Sequence, residues 1–170
     1  MSTTSTRRTT TTVTTLAAAA TAAVVAFAAL GASAPAQDPA TQTITFTELD
    51  RGATFTHVRR PGAARTSNAQ GDVLAFTNPV ADAGGRRIGR SHTSCVTTTG
   101  ARRFERSTIT CTAVVTLQDG TLTVVGSLSP GASRSEGAIT GGTGAYTGAR
   151  GVYASKPSRS GSDVTATVLR

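Results

Sequence analysis

The sequence predicts an all-β fold, an antiparallel β-barrel of eight or nine strands. The 170-residue chain contains short extended runs separated by Gly, Pro, Asp and Asn, at a spacing typical of an antiparallel barrel. Hydrophobic residues make up only 38% of the chain, and threonine and serine take much of their place. Because threonine is β-branched, this composition favours strands over helices. The length fits a single domain once a leader is removed.

Nine runs are predicted as strands, and none of them contains an internal proline, which would remove a ladder hydrogen bond. Residues 59–70 are predicted to form a long loop, and residues 156–161 a hairpin connection. The predicted strands are residues 42–49, 54–58, 72–77, 87–97, 107–118, 121–129, 134–140, 150–154 and 163–169.

The clearest register signal is the dipeptide Asp119-Gly120, which is typical of a two-residue type I′ turn. Such a turn places Leu117 opposite Leu122 and Val115 opposite Val124. One face of this hairpin is then apolar and the other is mostly hydroxylated. Because a one-residue slip would exchange the faces, the register is well specified, and the Leu117 face is predicted to line the interior.

The two cysteines, Cys95 and Cys111, lie on successive strands that are predicted to pair. In an exported chain such a pair usually forms a disulfide, and cross-strand neighbours come close enough to be bridged. Free buried thiols are the alternative. A metal site is not predicted, because neither His57 nor His92 has cysteines or carboxylates at ligand spacing.

The same alternation predicts what fills the barrel. If Cys95 faces Cys111, then Gly89 shares the inward face, and Gly126 lies among inward residues of the next strands. These glycines would leave a narrow apolar cavity suited to a hydrophobic small molecule. The alternative is an interior packed by side chains alone. The predicted cavity residues are Ser91, Thr93, Val115, Leu117, Leu122 and Val124.

Residues 1–36 are predicted to be a signal peptide, which makes residues 37–170 a secreted, extracellular domain. Arg7 and Arg8 precede an apolar run over residues 16–30, and small residues follow it. The run is short for a membrane span, so none is expected after processing. The Ala34-Pro35-Ala36 site predicts cleavage before Gln37. A retained N-terminal anchor helix is the alternative, and the choice between general secretory and twin-arginine export stays open.

The mature domain remains basic. Cleavage removes Arg7 and Arg8 and no acidic residue, which leaves 15 basic against 9 acidic side chains. Aromatic residues make up 4% of the chain and there is no Trp, so a nucleic-acid surface that stacks bases is not expected. The arginines are read as solvated loop charge, with weak adhesion to an anionic cell envelope as the alternative.

A glycine-rich stretch, AITGGTGAYTGARGVY over residues 138–153, is the most distinctive part of the chain. It lacks the lysine and the following amphipathic helix of a phosphate-binding loop. Gly141, Gly142 and Gly144 predict a tight turn after a strand that ends near residue 139, with one helical turn to follow. This arrangement would hold Tyr146 and Arg150 at one mouth of the barrel.

The pattern GGTGAYTGARG within this stretch resembles the C-terminal motif of dirigent proteins, members of the allene oxide cyclase-like superfamily. Gly71-Asp72, Gly89-Arg90, the segment DGTLTVVGSL and Glu136 stand in the family's order ahead of it. The resemblance covers about residues 42–170. It implies an eight-stranded, calycin-like barrel that binds a hydrophobic small molecule without a cofactor, and it leaves homo-oligomerisation open.

The resemblance also implies site residues. In plant dirigent proteins, acidic and tyrosine groups are thought to bind or protonate an intermediate similar to a quinone methide. The family's Asp-Pro-Leu appears here as Asn78-Pro79-Val80, which makes Asn78 a candidate ligand contact beside Asp72. A rim ion pair is the alternative for the acidic and arginine candidates. The catalytic candidates are Glu136, Tyr146, Arg150 and Tyr153.

No GxSxG elbow and no Ser, His and Asp order is present, so hydrolase chemistry is not predicted. The sequence and the resemblance together predict a secreted barrel that binds a hydrophobic small molecule and guides a cofactor-free cyclisation or coupling. The alternative is a non-catalytic extracellular barrel that associates with the envelope through its basic loops.

Overall fold

The computed structural model describes residues 40–62 and 68–169, and the predicted signal peptide lies outside them. Nine strands and one short 3₁₀ turn, Phe104–Arg106, make up this part of the chain, which confirms the all-β prediction. None of its helical residues forms a segment long and apolar enough to cross a bilayer. The strands are β1 Thr41–Leu49, β2 Thr54–Val58, β3 Val73–Ala81, β4 Arg87–Thr99, β5 Thr108–Leu117, β6 Gly120–Leu128, β7 Ser135–Gly144, β8 Arg150–Ser158 and β9 Gly161–Leu169.

The strands form an antiparallel sheet in the order β1-β9-β8-β7-β6-β5-β4-β3-β2, and β1 also pairs with β3. That last pairing places Glu48 opposite Val80 and closes eight strands into a barrel. β2 pairs with the other part of β3, where Thr54 lies opposite Thr77. The molecule is therefore an eight-stranded barrel with one additional strand.

The β5–β6 hairpin keeps the predicted faces but not the predicted partners. Val115 lies opposite Leu122, and Leu117 lies opposite Gly120, a shift of two residues from the expected register. The predicted type I′ turn is wrong, because the loop residues are Gln118 and Asp119, and no described non-glycine residue has a positive φ. Gly120 instead begins β6 with φ +150°, where a Cβ would collide with the Thr143 carbonyl of β7.

The glycine-rich segment also differs from its prediction. Strand β7 continues through Gly141 and Gly142 to Gly144, and the turn follows over residues 145–149. A Cβ on Gly142 would collide with the Thr121 carbonyl of β6, so the strand needs glycine at this position for its close approach. Gly142 therefore permits a close strand approach rather than a turn, whereas Gly144, with φ +61°, begins the turn and accepts a hydrogen bond from the Thr147 amide.

The predicted disulfide is present. Cys95 of β4 and Cys111 of β5 lie directly opposite each other with a Cα–Cα distance of 4.0 Å. The bridge packs with Leu74 and Ile109, both fully or nearly fully buried. It therefore joins two neighbouring strands through the apolar side of the barrel wall.

The interior has two parts. The closed half lies toward loops 82–86, 118–119 and 145–149, and the open half lies toward residues 59–62 and 68–72 and toward loops 100–107, 129–134 and 159–160. Side chains fill the closed half, and Val115, Leu122 and Val168 are completely buried there. The main core cluster consists of Phe46, Val80, Val115, Leu122, Val124, Ile139, Tyr146, Ala149, Val164, Ala166 and Val168.

Candidate active site

The open half contains a cavity of about 230 Å³. Its walls come mostly from apolar side chains of β3, β5 and β6, and its polar groups come mostly from β1, β7, β8 and β9. An apolar cavity of about 150 Å³ is enough to hold a benzene ring, so this space can admit an aromatic ring system. The apolar walls include Phe76, Ile109, Ala113, Val124, Leu128 and Pro130, and the polar groups include Glu48, Thr93, Ser135, Tyr153, Ser155 and Ser162.

The reason for the space differs from the predicted one. A Cβ on Gly126 would lie 2.9 Å from the Glu136 carbonyl oxygen, and one on Gly89 would collide with the Thr116 carbonyl. Both glycines thus permit close strand approach; Gly126 lines the cavity as predicted, and Gly89 does not contact it. The cavity exists because short side chains such as Ala113 and Ser155 point into it from the surrounding strands.

A carboxyl and a phenol meet inside this cavity. The Tyr153 hydroxyl donates a hydrogen bond to Glu48 Oε1 at 2.9 Å. Glu48 lies near the end of β1, opposite Ser162, and Tyr153 lies on β8, opposite Gly137. The Tyr153 ring packs at a tilt against Phe46, with a centroid distance of 6.1 Å. This contact fixes the ring and so directs its hydroxyl at the carboxylate.

Burial controls the protonation of both groups. It raises the pKa of Glu48 above its ordinary value, although interactions with the hydroxyls of Ser91 and Tyr153 oppose the rise. Burial also raises the pKa of Tyr153 well above its ordinary value, and the nearby Glu48 carboxylate adds to the effect. Tyr153 therefore remains a hydrogen-bond donor at neutral pH, and Glu48 takes up a proton more readily than an exposed carboxyl.

This pair is suited to proton transfer in a largely apolar space. A carboxyl with a raised pKa can give a proton to a developing oxyanion or carbanion, and a phenol can hold the same ligand by a hydrogen bond. No group of three or more His, Cys, Asp or Glu side chains capable of holding a metal occurs in residues 40–62 and 68–169.

Three of the predicted cavity residues lie elsewhere. Thr93 and Val124 line the cavity as predicted, whereas Val115, Leu117 and Leu122 belong to the filled core or pack against it. Whether an inward residue lines the cavity or belongs to the filled core depends on the size of the inward side chains on neighbouring strands. The alternation along β5 and β6 shows only that a residue points inward.

Two polar residues predicted as ligand contacts lie on the inward face but outside the cavity lining. Ser91 is completely buried next to the Glu48 carboxyl. Asn78 lies opposite Ser91 and donates a hydrogen bond to the Leu49 carbonyl at 3.1 Å. Both residues therefore support the end of β1, the strand that carries Glu48.

The structure does not bring the four predicted catalytic residues together. Tyr146 is buried in the closed half, and Arg150 is exposed on the barrel surface. Glu136 borders the cavity but is exposed, with Arg134 donating from Nε and Nη2 to its Oε1 at 2.9 and 2.6 Å. The predicted Glu136–Arg150 rim pair is thus absent among the described residues, because Glu136 lies opposite Ala154, four positions from Arg150.

Asp72, a further predicted rim group, has a structural role. It is completely buried and accepts hydrogen bonds from the backbone amides of Arg60 and Ala69 and from His57. These donors, the Arg60 amide foremost, lower the pKa of Asp72 although burial opposes them. The carboxylate therefore fastens the loop between β2 and β3 to the barrel.

Glu48 was not among the predicted site residues, although the sequence contains a signal for it. In β1, TQTITFTEL, threonines alternate with inward residues, and Ile44 and Phe46 are two of these. Glu48 takes the next inward position, where the alternation calls for an apolar side chain. A charged residue on the buried face of a strand marks a functional candidate.

A comparison with models of known protein families identifies the same barrel fold. The model of the allene oxide cyclase barrel-like domain matches residues 53–169. The chain belongs to this family. The match confirms the resemblance drawn from the glycine-rich motif. No curated protein matches the chain significantly in sequence.

Solved structures with the same fold include proteins that are named for different activities. A pyocyanin demethylase aligns with 75% of this chain and 100% of its own, at a TM-score of 0.59 and 20% identity. The pterocarpan synthase dirigent protein PsPTS1 aligns over 78% and 94%, at 0.53 and 19%. The Diels–Alderase AbmU from Streptomyces koyangensis aligns over 76% and 63%, at 0.53 and 16%. At these identities the likeness shows the fold of this family member and nothing finer.

Proposed function

We propose that this protein binds a hydrophobic small molecule in the open half and guides its cofactor-free cyclisation or coupling. The observation that carries the proposal is the buried hydrogen bond between Tyr153 and Glu48 in a cavity of about 230 Å³. Burial still raises the pKa of Glu48 although hydroxyl groups interact with it, so an ionised carboxyl here costs stability, and its presence in the cavity supports a chemical role.

The steps follow from the contacts. The apolar walls hold the ligand in a folded conformation, which brings its reacting atoms together. On ligand binding, the Tyr153 hydroxyl turns from Glu48 and donates its one hydrogen bond to a carbonyl or phenolate oxygen of the ligand. Protonated Glu48 then gives its proton to the atom that gains negative charge as the new bond forms, and it regains a proton from the cyclised product or from water. The proposal retains Tyr153 and gives Glu48 the acidic role predicted for Glu136.

Structures of the same fold support this class of reaction. The names of the aligned proteins include a pterocarpan synthase dirigent protein and a Diels–Alderase, which form rings. In this chain the proposal rests on its own cavity and its own acid, since neither alignment exceeds 20% identity.

Ligand binding is tested by filling the cavity. Ala113 lies on the cavity wall, so Ala113→Phe should occupy the space and abolish binding of a neutral aromatic probe, 2-naphthamide, measured by fluorescence. Val114→Phe is the matched control, because the next residue of β5 points to the outer surface. Absence of binding by the parent protein, or equal loss in both variants, would contradict the proposal.

Guidance of the reaction is tested with 2′-hydroxychalcone, which closes spontaneously to a racemic flavanone. The protein should accelerate the closure and give an excess of one enantiomer, as chiral chromatography measures. Glu48→Gln should lose the acceleration, and Tyr153→Phe should reduce the enantiomeric excess, while both still bind 2-naphthamide. Racemic product at the uncatalysed rate from a protein that binds the probe would indicate a carrier.

Export is part of the proposal. The disulfide supports an oxidising compartment, because such bonds are rare in the cytosol. Expression of the whole chain in a secreting host should give extracellular protein that begins at Gln37, which intact-mass analysis can check. Extracellular protein that retained Met1, or no extracellular protein at all, would overturn this part.

A further inference from the structure

The loops at the two ends of the barrel differ in charge. The described parts of four open-end loops contain seven arginines and two acidic residues, one of which is the buried Asp72. The β1–β2 loop, residues 50–53, adjoins this end through a hydrogen bond from the Asp50 amide to the Ser160 carbonyl, and it adds one arginine and one aspartate. The three closed-end loops contain one arginine, Arg86, and two aspartates. The open-end arginines are Arg59, Arg60, Arg102, Arg103, Arg106, Arg134 and Arg159.

Three of these arginines lie in loops next to the cavity lining, 100–107, 129–134 and 159–160, which we define as the mouth of the cavity. Arg134 precedes the cavity residue Ser135 and contacts Glu136 at its edge. Arg106 belongs to the 3₁₀ turn, which packs on loop 129–134 through a hydrogen bond from the Gly131 amide to the Glu105 carbonyl. Arg159 lies in the tight β8–β9 turn, between strand ends that both line the cavity.

These cations are largely uncompensated. Arg106 and Arg159 are exposed and form no ion pair with any residue in the described ranges, and Arg134 shares one oxygen of an exposed carboxylate. Arg87, Arg90 and Arg150 also carry charge toward the closed half, but they project from the outer surfaces of strands. Within residues 40–62 and 68–169, these exposed arginines therefore lie at the end of the barrel that contains the cavity.

We infer that the ligand of this site is an anionic amphiphile, whose carboxylate, sulfate or phosphate stays at the arginine-lined mouth while its apolar body enters the cavity. The inference rests on the proposed function. Arginine forms strong, often bidentate hydrogen bonds with such anions, and a mouth of one charge sign concentrates ligands of the opposite sign.

The carboxyl inside the cavity fixes the orientation. An anion that entered deeply would meet Glu48 and lose its hydration among apolar walls, and both effects oppose it. The reverse orientation places the anion beside Arg134 and the apolar part beside Tyr153. The charged group thus positions the reacting part of the ligand at the proton donor.

A matched pair of probes tests the inference. 2-Naphthoate and 2-naphthamide have nearly the same size and differ in charge. The parent protein should bind the carboxylate about tenfold more tightly than the amide at about 50 mM salt, and screening should reduce the ratio severalfold at about 500 mM salt. The triple variant Arg106→Gln, Arg134→Gln, Arg159→Gln should bring the ratio close to one.

The control is the triple variant Arg87→Gln, Arg90→Gln, Arg150→Gln, which removes the same charge from the outer surface and should keep the ratio. Equal binding of both probes by the parent, or equal effects of the two triple variants, would overturn the inference and leave the proposed function intact. Failure of both probes to bind the parent would overturn both. Thermal melting of each variant checks that it is folded.

Discussion

The closed and open halves of this barrel are built from the same strands with the same alternation, yet one is filled and the other is hollow. In the closed half, Leu122 and Val168 are completely buried and Tyr146 covers the end from its turn. In the open half, positions of the same face carry Ala113 and Ser155, and a cavity of about 230 Å³ remains.

The difference shows what period-two patterning can decide. It specifies which face of a strand is turned inward, but the volume of each inward residue specifies whether the interior packs. The open half also carries the features that a packed core avoids, a carboxyl, a tyrosine hydroxyl and several serines. The packed core that stabilises the fold and the candidate binding site thus lie in opposite halves of the same barrel.

The largest change in the free energy of unfolding is expected from a substitution in the closed half, where side chains fill the interior. Leu122→Ala should lower the free energy of unfolding by about 2–5 kcal/mol, because surrounding side chains cannot collapse fully into the new void. Leu128→Ala, at the cavity wall, should cost at most about half of that, since part of its side chain already borders empty space. Urea denaturation measures both. Equal costs would mean that the two halves are packed alike.

The disulfide should have the next effect, within the open half. The bridge joins residues 16 positions apart, and closing such a loop stabilises the folded state by roughly 3 kcal/mol. Reduction should therefore lower the melting temperature while circular dichroism still shows β structure below the transition. Two alkylatable thiols in denatured, unreduced protein would show that the bridge is not formed in solution.

The smallest effect concerns pH and the carboxyl in the cavity. Because burial raises the pKa of Glu48 in the folded state, its contribution to stability is full below the unfolded pKa and is lost as pH rises through the folded pKa. The stability of Glu48→Gln relative to the parent should therefore increase with pH across this window. Denaturation at a series of pH values measures the difference.

Asp72 supplies the opposite case for the same experiment. Its pKa is lowered in the folded state, chiefly by the Arg60 amide, so its contribution is present above the unfolded pKa and is lost as pH falls through the folded pKa. Asp72→Asn should therefore lose stability relative to the parent as pH rises from the lowered folded pKa to the unfolded pKa, and the difference should stay constant at higher pH. The same sign for both variants would contradict the assignment of Glu48 as the destabilising carboxyl of an open site.

Much of the fold was predictable because it depends on local patterns. Turn residues between alternating runs predicted strand positions within a few residues, although β3 and β8 continue through Pro79 and Pro157, beyond the predicted ends of these strands. The position of Cys95 and Cys111 on successive strands correctly predicted their disulfide. The turn at Asp119-Gly120 was wrong, because the glycine there serves an approach between β6 and β7. The dipeptide alone cannot show that its glycine is required by a contact with β7, which lies further along the chain.

The site was predictable only in part, since it depends on which strands face each other across the barrel. Thr93 and Val124 line the cavity as predicted, and the catalytic candidate Tyr153 lines it too. The hydrogen bond between Glu48 and Tyr153 joins residues 105 positions apart, and no spacing along the chain indicates it. Tyr146, in the distinctive motif, instead packs into the filled half.

Methyl NMR of the labelled protein during titration with 2-naphthamide tests directly whether the open half binds a ligand. If the open half is the ligand site, the methyl signals of Ala113, Val124 and Leu128 should shift in a saturable way. The signals of Leu122 and Val168 in the closed half should stay nearly unchanged. Shifts confined to the outer-surface methyls of Val114 and Val125, or no saturable shifts at all, would contradict the claim that this barrel holds a ligand in its open half.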